Sequence, residues 1–222
     1  MTTTIELTGA DGVAIGAYRA DPPGRPRGGV VVLQEIFGVN AHIRRVADGF
    51  AAAGYLAIAP ALFDRAAPGT ELGYTPADIP KGRDLVAAVG HENTMRDVAA
   101  AVAFAAVAGE VGVVGYCWGG SLAFAAACTI PGVAAAVGYY GGTIARSLDQ
   151  RPKAPLMLHF GERDDHIPMA DVAAVRAALA GVPVHTYPAG HGFNCDDRGS
   201  YDQASAAAAR ERTLAFLAEH VG

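Results

Sequence analysis

Cysteine is scarce in this chain, basic residues never cluster, and no long apolar run is present. Cys117, Cys128 and Cys195 are the only cysteines among 222 residues. An odd count without paired spacing excludes a disulfide framework and fits a reducing compartment, so a cytoplasmic location is expected. Lys and Arg number 17 against 22 Asp and Glu, a net charge of −5. With no basic patch, neither nucleic acid nor an anionic membrane surface is expected as a partner. No apolar run reaches the roughly 18 residues of a membrane-spanning helix. The stretch Met1 to Glu6 has neither a basic flank nor an apolar core, so no signal peptide is expected. His-Glu-x-x-His and Cys-x-x-Cys spacings are missing too, and no metal or cofactor is expected.

What is abundant is apolar. Hydrophobic residues make up 51% and charged residues 18%, enough to bury a large core and too little charge for a disordered chain. Strands are expected at Val13–Arg19, Gly29–Leu33, Tyr55–Ala59, Val111–Tyr116, Val133–Tyr139, Pro155–Phe160 and Pro183–Tyr187. Between them run helical patterns: one from an Asn40 N-cap to a Gly54 stop, one from Glu92 to Gly109, then Ser121–Cys128, Met169–Leu179 and a final stripe from Ala206 to Leu217. Residues from about Phe63 to Pro80 read as a surface loop. Strands alternating with helices, without linker or repeat, predict one α/β domain with a mostly parallel sheet covered on both faces. Chemistry in such sheets sits just beyond the carboxyl ends of strands.

Three strand ends carry reactive residues. Gly115-Tyr116-Cys117-Trp118-Gly119-Gly120 follows a strand and opens a helix, the pattern of a nucleophile elbow with Cys in place of Ser. The glycines let strand and helix pass closely, and the helix N-terminus favours a thiolate. The bland alternative is a glycine-rich turn holding an inert thiol. A nucleophile needs a base and an orienting group. Gly161-Glu162-Arg163-Asp164-Asp165-His166 follows the next-to-last strand, and Gly190-His191-Gly192 follows the last. The order nucleophile, acid, histidine is that of α/β-hydrolases, which selects Cys117, Asp164 and His191, with Asp165 and His166 as the lesser choices. His159 and His185 read as core or edge residues of strands, and His42, His91 and His220 as solvated helix positions. The loop after Leu33 supplies one oxyanion donor in this fold, so the backbone N–H groups of Ile36 and Trp118 are the expected pair. Glu35, at the buried end of a central strand, is costly unless paired. It is either in an ion pair with an arginine or a carboxylate that takes the thiol proton.

Together, Gln34-Glu35-Ile36-Phe37-Gly38-Val39-Asn40, the elbow, Ala136 to Gly141, the acid loop, Gly190-His191 and Glu211-Arg212-Thr213-Leu214 resemble the dienelactone hydrolase family. The resemblance implies an α/β-hydrolase fold, Cys117 as nucleophile, His191 as base and Asp164 as its orienter. It implies that Glu35 controls ionisation of the thiol and that Tyr139 lies near the pocket; Phe37 is added as a substrate contact. The family commonly has an arginine four residues after the catalytic histidine, where this chain has Cys195. Lys81, Arg83 and Arg198 are nearby cations, but none matches the family pattern residue for residue.

The expected activity is cofactor-free hydrolysis of an unsaturated lactone or related activated ester through an acyl-cysteine. A broad carboxylesterase or thioesterase is the alternative, and a non-catalytic binder or redox-sensing thiol the competing class. The expected partner is a small lactone or ester, with the chain a monomer or small homo-oligomer.

Overall fold

The computed structural model describes residues 2–222; Met1, where the reading for a leader segment begins, lies outside them. Eight strands form one sheet: β1 (Thr2–Thr8), β2 (Ala14–Ala20), β3 (Gly29–Leu33), β4 (Leu56–Pro60), β5 (Val111–Tyr116), β6 (Val133–Tyr139), β7 (Leu156–Gly161) and β8 (Val184–Tyr187). Their spatial order is β1-β2-β4-β3-β5-β6-β7-β8. The pairings β1–β2 and β2–β4 are antiparallel and all others parallel. Six helices accompany them: α1 (Ala41–Ala52), α2 (Asp78–Val89), α3 (His91–Ala105), α4 (Trp118–Thr129), α5 (Met169–Ala178) and α6 (Gln203–His220). Helices cover both faces, which makes this the expected α/β-hydrolase architecture.

The local reasons are those visible in the sequence. Every residue of β3, β4 and β5 is buried, as continuous β-branched and alanine runs in a doubly covered sheet require. Asn40 caps α1 by accepting the Ile43 N–H at 3.2 Å. Gly54 follows that helix at φ 101°, a left-handed conformation suited to glycine.

Two elements escape the pattern. β1 is too polar to stand out (Thr2, Thr3, Thr4 and Glu6) and is fixed by its full register on β2. α2 begins at Asp78, inside the stretch read as loop. Pro80 falls in its first turn, where a missing N–H costs nothing, and Gly82 is pressed against the Ile36 carbonyl. His42 is a further correction: α1 turns it inward and it is only 3% exposed, not solvated.

Candidate active site

β5 ends in a turn that only particular residues tolerate. Cys117 sits at φ 54° and ψ −113°, strained for a residue with a side chain. Its N–H donates to the Tyr139 carbonyl at 3.0 Å, and the Gly119 N–H to that of Gln34 at 3.1 Å. A Cβ on Gly115 would lie 1.8 Å from the Gly119 carbonyl oxygen, and one on Gly119 2.3 Å from that of Leu33. The strained cysteine is thus clamped between β5, β6 and α4, with its thiol at the α4 N-terminus.

The loops after β7 and β8 bring the other two groups to it. His191 Nε2 lies 3.2 Å from Cys117 Sγ, and His191 Nδ1 2.8 Å from Asp164 Oδ2. Asp164 Oδ1 accepts the backbone N–H groups of His166 and Ile167 at 2.8 and 3.1 Å, which fixes the carboxylate. Asp165 is exposed and takes no part in this line. His166 stands edge-on to His191 at 5.0 Å between ring centroids, alongside the relay and outside it. Burial opposes a charged imidazole, yet the hydrogen bonds with Asp164 and Cys117 outweigh it and hold His191 up to about 10. Burial likewise raises the Asp164 carboxyl, but the His191 and backbone hydrogen bonds prevail and leave it below the usual carboxylate range.

Above the thiol lies a cavity of about 350 Å³ lined by Ile36, Phe37, Arg83, Trp118, His191 and Arg198, among others. Phe37 is therefore where a substrate contact is expected. Among the described residues, neither the Ile36 nor the Trp118 N–H has a backbone acceptor. Trp118 also stacks on Phe63, with centroids 5.5 Å apart, so it both packs and narrows the cavity. A larger groove of about 940 Å³, lined by Arg151, Leu179 and Phe216, lies at the other end of β7 and holds no nucleophile–base pair.

Glu35 is fully buried, and its carboxylate is held on both sides. Arg198 Nη1 donates to Oε1 at 3.1 Å and the Tyr74 hydroxyl to Oε2 at 3.0 Å. The ion-pair reading of Glu35 thus has its arginine. No hydrogen bond joins Glu35 to Cys117 among the described residues, but the Arg198 guanidinium feels both groups. Burial disfavours the Arg198 charge, and Glu35 together with the neighbouring Tyr140, Cys117 and Cys195 more than restores it.

Tyr139 requires a correction. Its ring is 1% exposed, packs against Tyr116 and His159, and its hydroxyl shares a hydrogen bond with Thr213, so it lies beneath the elbow and does not line the cavity. Two partners were missed in the sequence. Tyr74 comes from the loop between β4 and α2, which is stitched to the site by the Leu72 N–H on the Phe37 carbonyl at 2.8 Å. Arg198 follows His191 by seven residues instead of four, a spacing that concealed its role.

Comparison with known proteins finds relatives of this chain. The dienelactone hydrolase family model matches residues 15–221. Carboxymethylenebutenolidase of Pseudomonas putida is 36% identical over 98% of this chain and 97% of its own length. Carboxymethylenebutenolidase 1 of Cupriavidus pinatubonensis is 31% identical, covering 96% and 95%. A Klebsiella pneumoniae protein provisionally assigned as a dienelactone hydrolase superposes with a TM-score of 0.85 at 32% identity, covering 99% of this chain and all of that one.

Proposed function

Because this chain belongs to the dienelactone hydrolase family and hydrolyses ester or lactone bonds, we propose that it does so through an acyl-cysteine on Cys117. The observation that carries this reading is the unbroken line Cys117–His191–Asp164, with contacts of 3.2 and 2.8 Å. The Cys117 proton resides on His191 as Sγ attacks the carbonyl carbon, and Asp164 holds the imidazolium in place. The negative oxygen that forms is received by the Ile36 and Trp118 N–H groups. The tetrahedral species collapses with the carbon–oxygen bond breaking, and His191 returns its proton to the departing oxygen. In a lactone that oxygen stays tethered to the acyl chain, so the ring opens. Water, deprotonated by His191, then attacks the thioester, and the acid leaves as Cys117 is regenerated.

Substrate charge follows from the cavity wall. Arg83 lines it with no ion-pair partner among the described residues, and Arg198 lines it while paired to Glu35. A small lactone bearing a carboxylate suits a cavity of this volume with two guanidinium groups. Glu35 governs the thiol through Arg198: as substrate binding shifts Arg198, the balance between a protected thiol and a reactive thiolate shifts with it. The test is rapid-quench intact mass spectrometry with an anionic unsaturated lactone and a neutral chromogenic ester. An adduct on Cys117 that forms faster than steady-state turnover supports the acyl-cysteine. An adduct with the neutral ester alone points to a broad esterase, and turnover without any adduct overturns the covalent route.

A further inference from the structure

Glu35 converges with two further side chains, and the hydrolytic chemistry leaves the three without a joint role. One ligand atom each from Glu35, His42 and Cys195 lies within 4.8 Å of the others, and all three residues are buried. His42 supplies the observation that gives this cluster meaning. Its Nδ1 is bonded to Asp196 Oδ1 at 3.0 Å, whereas its Nε2 is buried without any hydrogen-bond partner. A buried, unsatisfied imidazole nitrogen is costly and needs an explanation. Asp196 behind Nδ1 fixes the tautomer that leaves an open lone pair on Nε2, the arrangement that orients a metal-binding histidine.

From this we infer that Glu35, His42 and Cys195 form a binding site for a thiophilic divalent cation of the zinc type. The donor set fits that chemistry: one thiolate, one imidazole and one carboxylate, leaving a fourth position for water. In a tetrahedral shell with zinc–ligand bonds of about 2.0–2.3 Å, ligand atoms stand about 3.3–3.7 Å apart. The widest pair here therefore closes by about 1.5 Å at most, within reach of side-chain rotation. The Glu35 carboxylate retains free lone pairs, since Arg198 and Tyr74 occupy one site on each oxygen. Coordination replaces the Cys195 Sγ–H proton, which leaves to solvent, so the shell carries two negative charges against the cation. A surface cavity of about 430 Å³, lined by His42, Arg45, Asn194 and Asp196, gives an approach from solvent.

Cobalt(II) titrated into the Cys117→Ser protein tests the site with the catalytic thiol removed. One equivalent should bind and produce the near-ultraviolet sulfur-to-cobalt charge-transfer band and the visible bands of a tetrahedral ion. Cys195→Ser in the same background should abolish the charge-transfer band, and His42→Gln should weaken binding at least tenfold. Zinc-edge X-ray absorption of the zinc-loaded Cys117→Ser protein should show one sulfur and one imidazole in the shell, and it decides the matter even where a variant fails to fold. Absence of a stoichiometric cobalt complex, a band that survives Cys195→Ser, or a zinc shell without sulfur would each overturn the inference. None of these readouts depends on hydrolysis, so they stand or fall separately from the acyl-cysteine mechanism.

Discussion

Arg198 reaches Glu35 across 163 residues of sequence, with Nη1 3.1 Å from Oε1. The pair ties the loop after β8 to the end of β3 and stands beside the thiol without touching it. Removing one member of a buried pair strands the other charge, which costs more than removing both. Arg198→Gln should therefore lower the unfolding free energy by about 3 kcal/mol, and Glu35→Gln added to it should recover part of that loss. Urea unfolding of the two single variants and the double variant measures the coupling; strictly additive losses would show that the pair is energetically idle.

Cys117→Ala should lower kcat by about a thousandfold or more, because only binding and the oxyanion donors remain. The fold should survive, since the thiol is aimed into the cavity and fills no core position. A variant that keeps a tenth of the wild-type rate would place the nucleophile elsewhere.

Asp164→Asn should be nearly as damaging, whereas Asp165→Asn should leave kcat within about twofold. The amide holds the imidazole in the wrong tautomer, while Asp165 is exposed and outside the relay. Equal losses in the two variants would count against Asp164 as the orienting group.

The relay also makes stability depend on pH. His191 stands at about 10 in the fold, above the roughly 6.5 of an imidazole in the unfolded chain, so the native state binds its proton more tightly. Its contribution is complete below about pH 6.5 and disappears as pH rises toward 10. Asp164 behaves oppositely: its lowered carboxyl contributes above about pH 4 and loses that contribution as the pH falls. The stability gap between wild type and His191→Gln should thus be widest near pH 5–6 and shrink steadily toward pH 10. Urea unfolding at several pH values reads it, and a gap that widens with pH would reverse the sign argued here.

The parts of this site that could be read in the sequence are those delivered by single strand ends. Cys117, Asp164 and His191 each follow a strand within a few residues, so local pattern and chain order were enough to select them. The partners of Glu35 come from elsewhere. Tyr74 rides on a loop with no periodicity, and Arg198 is positioned by the turn after His191, so neither contact has a local signature. His42 looked like a surface residue because α1 is polar around it, but Asp196 bonds its Nδ1 and Tyr74 stands edge-on to its ring, both from distant loops. Tyr139 follows the same logic in reverse. Its place at the end of β6 suggested the pocket, but alternation along the strand turns its ring beneath the elbow and leaves its carbonyl to hold the Cys117 N–H.

Glu35 remains the residue whose role a single substitution can separate from mere structure. Its negative charge is shared with Arg198, which also faces Cys117. Glu35→Gln keeps the shape and a hydrogen-bond acceptor for Tyr74 but removes the charge, so the Arg198 guanidinium is left free to stabilise an anion at Cys117. Iodoacetamide should then alkylate Cys117 about tenfold faster near neutral pH without substrate, equivalent to ~1.4 kcal/mol. Hydrolysis should slow at the same time, because the thiolate no longer forms in step with substrate binding. A Glu35 that only braces the fold predicts a lower Tm with the alkylation profile unchanged. Alkylation rates across pH 6–9 for the two proteins, read at Cys117 by peptide mass, separate the cases: superimposable profiles end the control role, and a faster variant with slower turnover supports it.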